Sequence, residues 1–371
     1  MTYKETLFFV AKCLTINHET HNNAIIENEL KTGKVDWDSV VKLSTGHFVF
    51  PALYCNLKRA NFLHYLPEEL VNYMIHITDL NRERNQQIIE QAKEINQLLL
   101  ANNITPIFLK GTGNLLCGLY EDIAERMVGD IDFLVSDEEY LKTIKVLEND
   151  GYSKDQTKID TTFKNRHYPK ITKEERIFAV EIHFKLVLKP HDIFFNYSAV
   201  KKNVQKTKYA ISILSNKDQV LLTCFNKQIN DKGNWYKTIT LRNNYDIYLL
   251  SINVSTLETI KKFKHYFTPL NNFLASSSLI FNAPKSISFL ENSSAKKFLN
   301  KQMFYLENSK SLSYNNFKWK LYFYFKTEFN LIINSFYRKE EREFILKRLI
   351  KKLNQILNFL KIHSSIITRT H

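Results

Sequence analysis

The sequence predicts an α+β protein, in which a short stretch of alternating strands and helices lies between two helical regions. Three observations lead to this class. Residues 1–103 carry apolar side chains at helical spacing, residues 104–210 alternate between strand and helix patterns, and residues 211–371 return to helical patterns. With 371 residues, 44% of them hydrophobic and 24% charged, the chain has the composition of a globular protein with a sizeable core.

The clearest element of the first region is a helix predicted from Leu80 to Asn103. Its apolar residues recur three and four positions apart, so they share one face. These residues are Ile88, Ile89, Ala92, Ile95, Leu98 and Leu99. The pair Asn102-Asn103 supplies a stop signal, and the pattern therefore predicts a packed helix directly before the middle region.

The middle region is predicted to form a small α/β unit, in the order strand, helix, strand, helix and strand. The predicted strands are Ile104–Leu109, Ile131–Val135 and Ala179–Leu186. The turn Lys110–Gly113 joins the first strand to a helix that begins at Asn114. Ser136 and Glu139 form a capping box for the second helix, and Gly151 ends that helix.

The last region is predicted to be helical, and its final helix runs from Lys339 to Lys361 with one broad apolar face. Four basic residues lie largely off that face: Lys347, Arg348, Lys351 and Lys352. The simplest interpretation is a helix that packs its apolar face against the segment around Trp319–Phe325 and exposes a basic face. The more specific alternative is a nucleic-acid-binding surface, and a membrane-surface helix is the least favoured alternative.

The charge of the chain is strongly basic and uneven. The net charge is +14, and residues 296–371 contain sixteen Lys or Arg against five Glu. Such a chain attracts polyanions, including nucleotides and nucleic acid. The sequence contains no apolar run of roughly 18 residues, and its charged N-terminus is a poor signal peptide, so we expect a cytoplasmic protein without a membrane partner. The widely spaced cysteines favour neither a zinc site nor a disulfide framework.

The strongest chemical signal is the segment Gly129–Val135, which contains an Asp-x-Asp pattern. Residues two apart on a strand point to the same side, so Asp130 and Asp132 project together while Ile131 and Phe133 face the core. Two carboxylates this close repel each other unless a cation lies between them. Mg²⁺ suits the position because it prefers oxygen ligands and bridges to phosphate oxygens. We expect both aspartates to face solvent.

Two other segments add groups of the same chemistry. The turn Lys110-Gly111-Thr112 follows a strand and opens a helix, so its backbone N–H groups can approach a phosphate and Lys110 can add a positive charge. In the third strand, alternation puts Glu181 and His183 on one face. Glu181 is then either the third acid of a metal site or the base that activates an acceptor hydroxyl.

Arg126 and His183 each allow more than one interpretation. Arg126 stands four residues before Asp130, where it pairs with the γ-phosphate of a nucleotide, with Asp130, or with another acid in a structural salt bridge. His183 shares the face of Glu181, and we expect it to touch a nucleotide or an acceptor. A zinc site is not favoured, since no cysteine or second histidine lies at ligand spacing.

The motifs K-G-x-G, R-x-x-G-D-I-D-F-L-V and V-E-I-H-F together resemble the DNA polymerase beta-like nucleotidyltransferase superfamily. The closer resemblance is to a bacterial family described as uncharacterised nucleotidyltransferases, and it covers roughly residues 35–250. Other similar segments are Trp37-Asp38, Pro51–Tyr54, Leu109–Gly111, His167–Pro169 and Asn244–Asp246. The turn of the superfamily is usually Gly-Gly or Gly-Ser, whereas this chain has Lys110-Gly111-Thr112 and so matches the smaller family.

The resemblance implies a small mixed sheet flanked by helices, and a metal-dependent transfer of a nucleoside monophosphate from an NTP such as ATP, with release of pyrophosphate. It implies that Asp130 and Asp132 bind Mg²⁺ or Mn²⁺, with Glu181 as the third catalytic carboxylate. The residues expected to contact the nucleotide are Lys110, Gly111, Thr112, Arg126 and His183. The acceptor stays open between an RNA 3′ end, a protein hydroxyl and a small molecule. The alternative function is a non-catalytic protein that keeps this fold and holds nucleic acid with its basic C-terminal region.

Overall fold

The computed structural model of the protein describes residues 1–154, 166–188, 191–207, 209–350 and 353. Its helices are α1 Tyr3–Cys13, α2 Thr20–Lys31, α3 Trp37–Gly46, α4 Phe50–Arg59, α5 Glu68–Ala101, α6 Lys110–Leu116, α7 Tyr140–Asn149, α8 Tyr197–Lys201, α9 Asn216–Phe225, α10 Gly233–Tyr236, α11 Leu241–Ser251, α12 Thr256–Lys261, α13 Phe267–Ile280, α14 Ser293–Glu307 and α15 Ser309–Tyr337. Its strands are β1 Ile107–Phe108, β2 Ile131–Leu134, β3 Ser153–Lys154, β4 Ile171–Thr172, β5 Val180–His183, β6 Gln205–Lys206 and β7 Ser212–Ile213.

The strands of the described residues form one seven-stranded sheet in the order β3-β4-β5-β2-β1-β7-β6. Strand β2 runs parallel to β5 and antiparallel to β1, and β1 runs parallel to β7, so the sheet is mixed. Helices α1–α5 precede the sheet in the sequence, and helices α9–α15 follow it. This architecture confirms the predicted α+β class with a mixed sheet between helical regions.

Helix α5 is much longer than its predicted part, because it begins at Glu68, directly after Pro67, rather than at Leu80. Its C-terminal half buries the apolar face that the spacing predicts. Two buried amides then tie the helix to the segment before β2: Asn81 donates to the carbonyl of Ala124, and Asn85 donates to the carbonyl of Arg126. These bonds satisfy backbone oxygens that have no partner in a helix or strand. Helix α5 therefore holds the segment of residues 124–126, which leads into β2.

Helix α6 begins at Lys110, so the residues predicted to form a turn are its first turn instead. The reason is close packing against β1. A Cβ added at Gly113 would lie 2.8 Å from the carbonyl oxygen of Phe108 and 2.8 Å from Nε2 of Gln219 on α9. Only glycine fits at this point, and its absence of a side chain lets the helix start immediately after the strand.

The C-terminal helices differ from the prediction in what they bury. Helix α15 packs on α10 through Trp319 and Phe323, whose ring centroids lie 6.3 Å and 5.3 Å from that of Trp235. Residues 339–350 are helical, and Arg348 in this stretch reaches back to Glu328 of α15 at 2.8 Å.

The apolar face expected to be buried in the last helix is only partly buried in its described part. Of the residues predicted to form this face, Phe344 and Ile345 are half-buried, whereas Leu349 and Leu353 have more than half of their surface exposed. The prediction of a packed face is therefore wrong for Leu349 and Leu353, because the segment of α15 expected to cover them is itself exposed at Tyr324 and Phe325. Lys351, Lys352 and residues 354–361 of the predicted helix lie outside the described residues. A search of the described residues finds no helix with the length and hydropathy needed to cross a membrane.

Candidate active site

Strands β2 and β5 place two acidic side chains side by side. Asp132 is paired directly with Glu181 in the parallel register of these strands. Ile131 and Phe133 are fully buried, so the alternation of β2 turns Asp132 to the opposite face of the sheet. Asp130 immediately precedes β2 and extends this acidic edge. The three acids that the sequence singled out thus lie at one place in the fold.

Two lysine ammonium groups lie between the three carboxylates. Nζ of Lys110 is 2.5 Å from Oδ1 of Asp132 and 3.6 Å from Oε2 of Glu181. Nζ of Lys170 is 2.7 Å from Oδ2 of Asp130 and 3.5 Å from Oε1 of Glu181. Negative and positive groups alternate as a result, which offsets the repulsion between the acids.

His183 is enclosed beside the carboxylates, with only 1% of its surface exposed. Its Nε2 lies 2.9 Å from Oδ1 of Asp132 and 3.4 Å from Oε2 of Glu181. Its Nδ1 is buried and has no hydrogen-bond partner among the described residues. A proton on Nε2 can be donated to Asp132, whereas a proton on Nδ1 would be a buried N–H group without an acceptor.

Burial and charge set the state of the acids. Asp132 and Glu181 are each 7% exposed, whereas the side chain of Asp130 keeps 29% of its surface. The expectation that both aspartates face solvent is thus wrong for Asp132, because Lys110 and His183 enclose it. Burial raises the pKa of Glu181, but the hydrogen bond from His183 and the charge of Lys110 outweigh it and hold this pKa well below its usual range.

The turn at the start of α6 delivers Lys110 to the acids. Gly111 packs closely behind it, since an added Cβ would lie 3.0 Å from Cγ2 of Val128 and 3.6 Å from Cζ of Arg126. Thr112 is fully buried and donates its hydroxyl to the carbonyl oxygen of Asp130 at 3.0 Å. The Thr112 side chain therefore holds the start of β2.

Arg126 does not contact the three acids. Its Nε lies 2.9 Å from Oδ1 of Asp246 and its Nη2 lies 2.9 Å from Oδ2 of the same carboxylate, while Nη1 donates to the carbonyl of Met127 at 2.8 Å. Both side chains are buried. Of the pairings considered from the sequence, the structure shows the salt bridge, because Asp246 on α11 lies where all three guanidinium nitrogens of Arg126 can be satisfied.

The same cluster contains the atoms that could hold a metal ion. Among the described residues, one ligand atom each from Asp132, Glu181 and His183 lie within 4.8 Å of one another. Since Nε2 of His183 serves better as an N–H donor, the two carboxylates are the candidate ligands. Asp130 is not part of this group and is joined to Glu181 through Lys170. An all-oxygen set of this kind fits a hard divalent cation such as Mg²⁺ or Mn²⁺.

Two residues of the cluster carried no chemical signal in the sequence. Lys170 lies just before β4, a two-residue strand too short to show alternation. His167 pairs with His183 across an isolated bridge, and its Nε2 lies 4.0 Å from Oε2 of Glu181. The segment His167–Pro169 was recognised only as part of the family resemblance. Its position beside Glu181 depends on the pairing of β4 with β5, which local patterning does not reveal.

A mixed sheet that pairs Asp132 with Glu181, beside the Lys110-Gly111 turn, agrees with the core that the resemblance to nucleotidyltransferases implies. The family model described as uncharacterised nucleotidyltransferase matches residues 33–259, and the chain belongs to this family. The protein is therefore a transferase enzyme, and the family implies an NTP substrate. The matched range contains the whole acidic cluster and ends before α13. No curated protein matches the chain.

Proposed function

We propose that the enzyme transfers a nucleoside monophosphate from an NTP to an acceptor hydroxyl in a metal-dependent reaction that releases pyrophosphate. The observation that carries this proposal is the direct pairing of Asp132 with Glu181 on parallel strands, with Asp130 one residue before β2. Asp132 and Glu181 are buried carboxylates whose partners are Lys110 and His183, so the two strands hold two acids together at one point inside the fold. The cluster supports a divalent cation at the position where the phosphates would bind.

Asp130, Asp132 and Glu181 would hold Mg²⁺ or Mn²⁺. When bound, such a cation neutralises phosphate charge and stabilises the attacking and leaving oxygens at phosphorus. Lys110 and Lys170 neutralise the same carboxylates in this structure. A bound cation would take over that role, and each lysine would then be released to contact a phosphate oxygen.

The other predicted nucleotide-binding residues take different roles in this proposal. Gly111 and Thr112 are buried at the start of α6, where they shape the turn that carries Lys110. Arg126 packs behind Gly111 and supports the turn, since its guanidinium is occupied by Asp246. His183 orients Asp132 through its Nε2–H and does not touch the nucleotide, because it is enclosed.

The acceptor is proposed only by class: an RNA 3′ end, a protein hydroxyl or a small molecule. The net charge of +14 favours RNA among these, because RNA is the most highly charged of the three. Membership of an enzyme family favours catalysis over the alternative of a non-catalytic nucleic-acid-binding protein.

The proposal is tested with NTP labelled at the α-phosphate, Mg²⁺ and a total cell extract. We expect the label to enter an acceptor while pyrophosphate is released, and we expect Asp132→Asn to abolish both. Asp137→Asn is the matched control, because Asp137 is an exposed acid that follows β2 outside the cluster. Separation into RNA, protein and small-molecule fractions identifies the acceptor class. Pyrophosphate release that persists unchanged in Asp132→Asn would refute the proposed site.

A further inference from the structure

A buried lysine outside the acidic cluster lacks a counter-ion. Lys227 is 7% exposed and lies at the start of the π-helix Asn226–Asn230. Its Nζ donates to Oγ1 of Thr240 at 2.5 Å and to Oγ1 of Thr238 at 3.3 Å. Nowhere in the described ranges does a carboxylate oxygen come within 4.0 Å of this Nζ. A buried cation held only by hydroxyl groups costs free energy, so its position calls for an anion.

A second cation, Arg242, is half-buried and lies over the ring of Phe48, with its Cζ 4.9 Å from the ring centroid. Arg242, at the start of α11, has a buried Nε without a hydrogen-bond partner among the residues described, and its Nη1 reaches only the carbonyl of Met127 at 3.4 Å. Nζ of Lys227 contacts Thr240, two residues before Arg242, so one short segment holds both cations. Burial lowers the pKa of Lys227, the charge of Asp231 opposes this shift in part, and the charge of Arg242 lowers the pKa again. We refer to Lys227 and Arg242 as the cation pair.

The chain between these residues is shaped to enclose Lys227. A Cβ added at Gly233 would collide with the carbonyl oxygen of Lys227, so only glycine lets the loop close here. Lys232 and Lys237, on either side of α10, both adopt a φ of 59°, in the left-handed region. Such strain in residues other than glycine persists only where the surrounding structure enforces it, and it is typical of ligand sites.

The cation pair adjoins the acidic cluster from two directions. Arg166 donates through Nη1 to Oδ1 of Asn226 at 2.8 Å, and the next residue is His167, which touches Glu181. On the other side, Arg242 contacts the carbonyl of Met127, three residues before Asp130. Both ends of the segment 226–242 are therefore anchored to chain segments that form the cluster.

Asp231 interacts electrostatically with cations of both the cation pair and the acidic cluster. Desolvation raises the pKa of Asp231, but four cations oppose that rise: Lys227, Arg166, Lys110 and Arg242. Lys110 belongs to the acidic cluster, so the cation pair and the cluster act on a common point. Asp231 itself is beyond ion-pair distance of both members of the pair, and its charge offsets only part of the desolvation that lowers the pKa of Lys227.

Charge balance identifies the anion. Lys110 and Lys170 are already paired with Asp130, Asp132 and Glu181, so the cluster has no positive charge to spare without a metal. A triphosphate carries about four negative charges, and pyrophosphate takes most of them as it leaves. The cation pair supplies positive charge that no carboxylate of the described residues neutralises at ion-pair distance.

We propose that Lys227 and Arg242 form a phosphate subsite that binds the β- and γ-phosphates of the NTP and holds the leaving pyrophosphate. This inference rests on the proposed nucleotidyl transfer and extends it from the metal ligands to the residues of the helical region after the sheet.

The test measures binding of inorganic tripolyphosphate to the full chain by calorimetry, with metal removed by a chelator. We expect wild type to bind it, and we expect Lys227→Met and Arg242→Gln each to weaken binding about tenfold or more, since each removes charge-assisted hydrogen bonds. Lys217→Gln, which removes an exposed lysine of α9, should leave the affinity unchanged. Equal affinity in wild type and Lys227→Met, or no binding by wild type, would overturn the subsite.

A stability measurement separates this role from a structural one. Removing a buried charge that lacks a counter-ion should keep or raise the Tm of Lys227→Met, and tripolyphosphate should raise the Tm of wild type but not of the variant. If Lys227→Met instead lowers the Tm and keeps its tripolyphosphate affinity, the lysine is a structural residue and the proposal is wrong.

A competition experiment distinguishes the two sources of phosphate. A non-hydrolysable NTP analogue with Mg²⁺ should displace tripolyphosphate if the subsite holds the nucleotide tail. If tripolyphosphate binds equally well beside the saturating analogue, the subsite serves a phosphorylated acceptor and the assignment to NTP fails. Because the first measurement contains no metal, failure of metal-dependent turnover alone would count against the proposed function and leave the subsite standing.

Discussion

Arg126 and Asp246 form a two-pronged, buried ion pair between residues that are 120 positions apart in the chain. Tyr120 donates its hydroxyl to the same carboxylate at 2.7 Å. The pair joins the segment before β2 to α11, so it connects the sheet to the helical region that follows it. Gly111 packs against the Arg126 guanidinium, and the turn that carries Lys110 therefore rests on this pair.

We expect Asp246→Ala to lower the free energy of unfolding by about 3–5 kcal/mol, because it leaves Arg126 buried without a counter-charge. Urea denaturation measures this loss. Lys93→Gln is the control, since it breaks the exposed pair of Lys93 with Glu90 and should cost less than about 1 kcal/mol. A loss in Asp246→Ala as small as that of the control would show that the pair is not a structural anchor.

The two aspartates should differ in their effect on stability although both are needed for turnover. Asp132→Asn removes the charge that faces Lys110 and the buried His183, so we expect it to lower stability by about 1–3 kcal/mol. Asp130→Asn, at a more exposed position, should change stability by less than about 1 kcal/mol. Chemical denaturation and pyrophosphate release, measured on both variants, test this order. Equal stability losses would contradict it.

Divalent cations should stabilise the enzyme through the carboxylates. We expect Mg²⁺ or Mn²⁺ to raise the Tm of wild type in a concentration-dependent way, since a ligand at about 100 times its Kd adds about 2.7 kcal/mol. Asp132→Asn should lose this effect, and the exposed Asp137→Asn should keep it. A Tm rise of the same size in all three proteins would place the cation elsewhere.

His47 should make stability depend on pH. Burial, followed by the charge of Lys227, lowers the pKa of His47 to about 4 from its usual 6.5, and its Nδ1 accepts a hydrogen bond from the backbone N–H of Leu241. Between these two pH values the unfolded chain binds the proton and the folded chain does not, so stability should fall as the pH drops from 6.5 toward 4.

Two variants check the origin of this pH dependence. His47→Gln should flatten the slope in denaturation experiments between these pH values. In NMR titrations, Lys227→Met should raise the pKa of His47, while the distant Lys93→Gln should leave it unchanged. An unshifted His47 pKa in Lys227→Met would mean that the lysine charge does not reach the histidine.

The sequence was sufficient for the parts of the site that local patterning controls. The alternation in β2 and β5 predicted that Asp132 would project away from Ile131 and that Glu181 would share a face with His183, and both relationships are present. The apolar spacing in α5 likewise predicted a buried helical face. Such predictions succeed because a strand or a helix imposes its period on the side chains whatever its neighbours are.

The parts that depend on distant neighbours were not predictable in this way. Strands β3, β4, β6 and β7 contain two residues each, and pairing alone defines them. Lys170 reaches the acids only because β4 pairs with β5. Arg126 pairs with Asp246 rather than with another acid because the packing of α11 brings Asp246 next to it. The enclosure of Asp132 by Lys110 also required the fold, since the sequence pattern cannot show how closely α6 approaches β2.

The order of strands in the sheet has a consequence for synthesis of the protein. The two neighbours of β2 are β1, which is made before it, and β5, which is made after a further helix and two strands. A growing chain therefore presents one open edge of β2, with its buried apolar residues unprotected, until β5 leaves the ribosome. Open strand edges promote aggregation. Fragments that end before β5 should accumulate in inclusion bodies, and any shortened version for expression has to extend at least through α11.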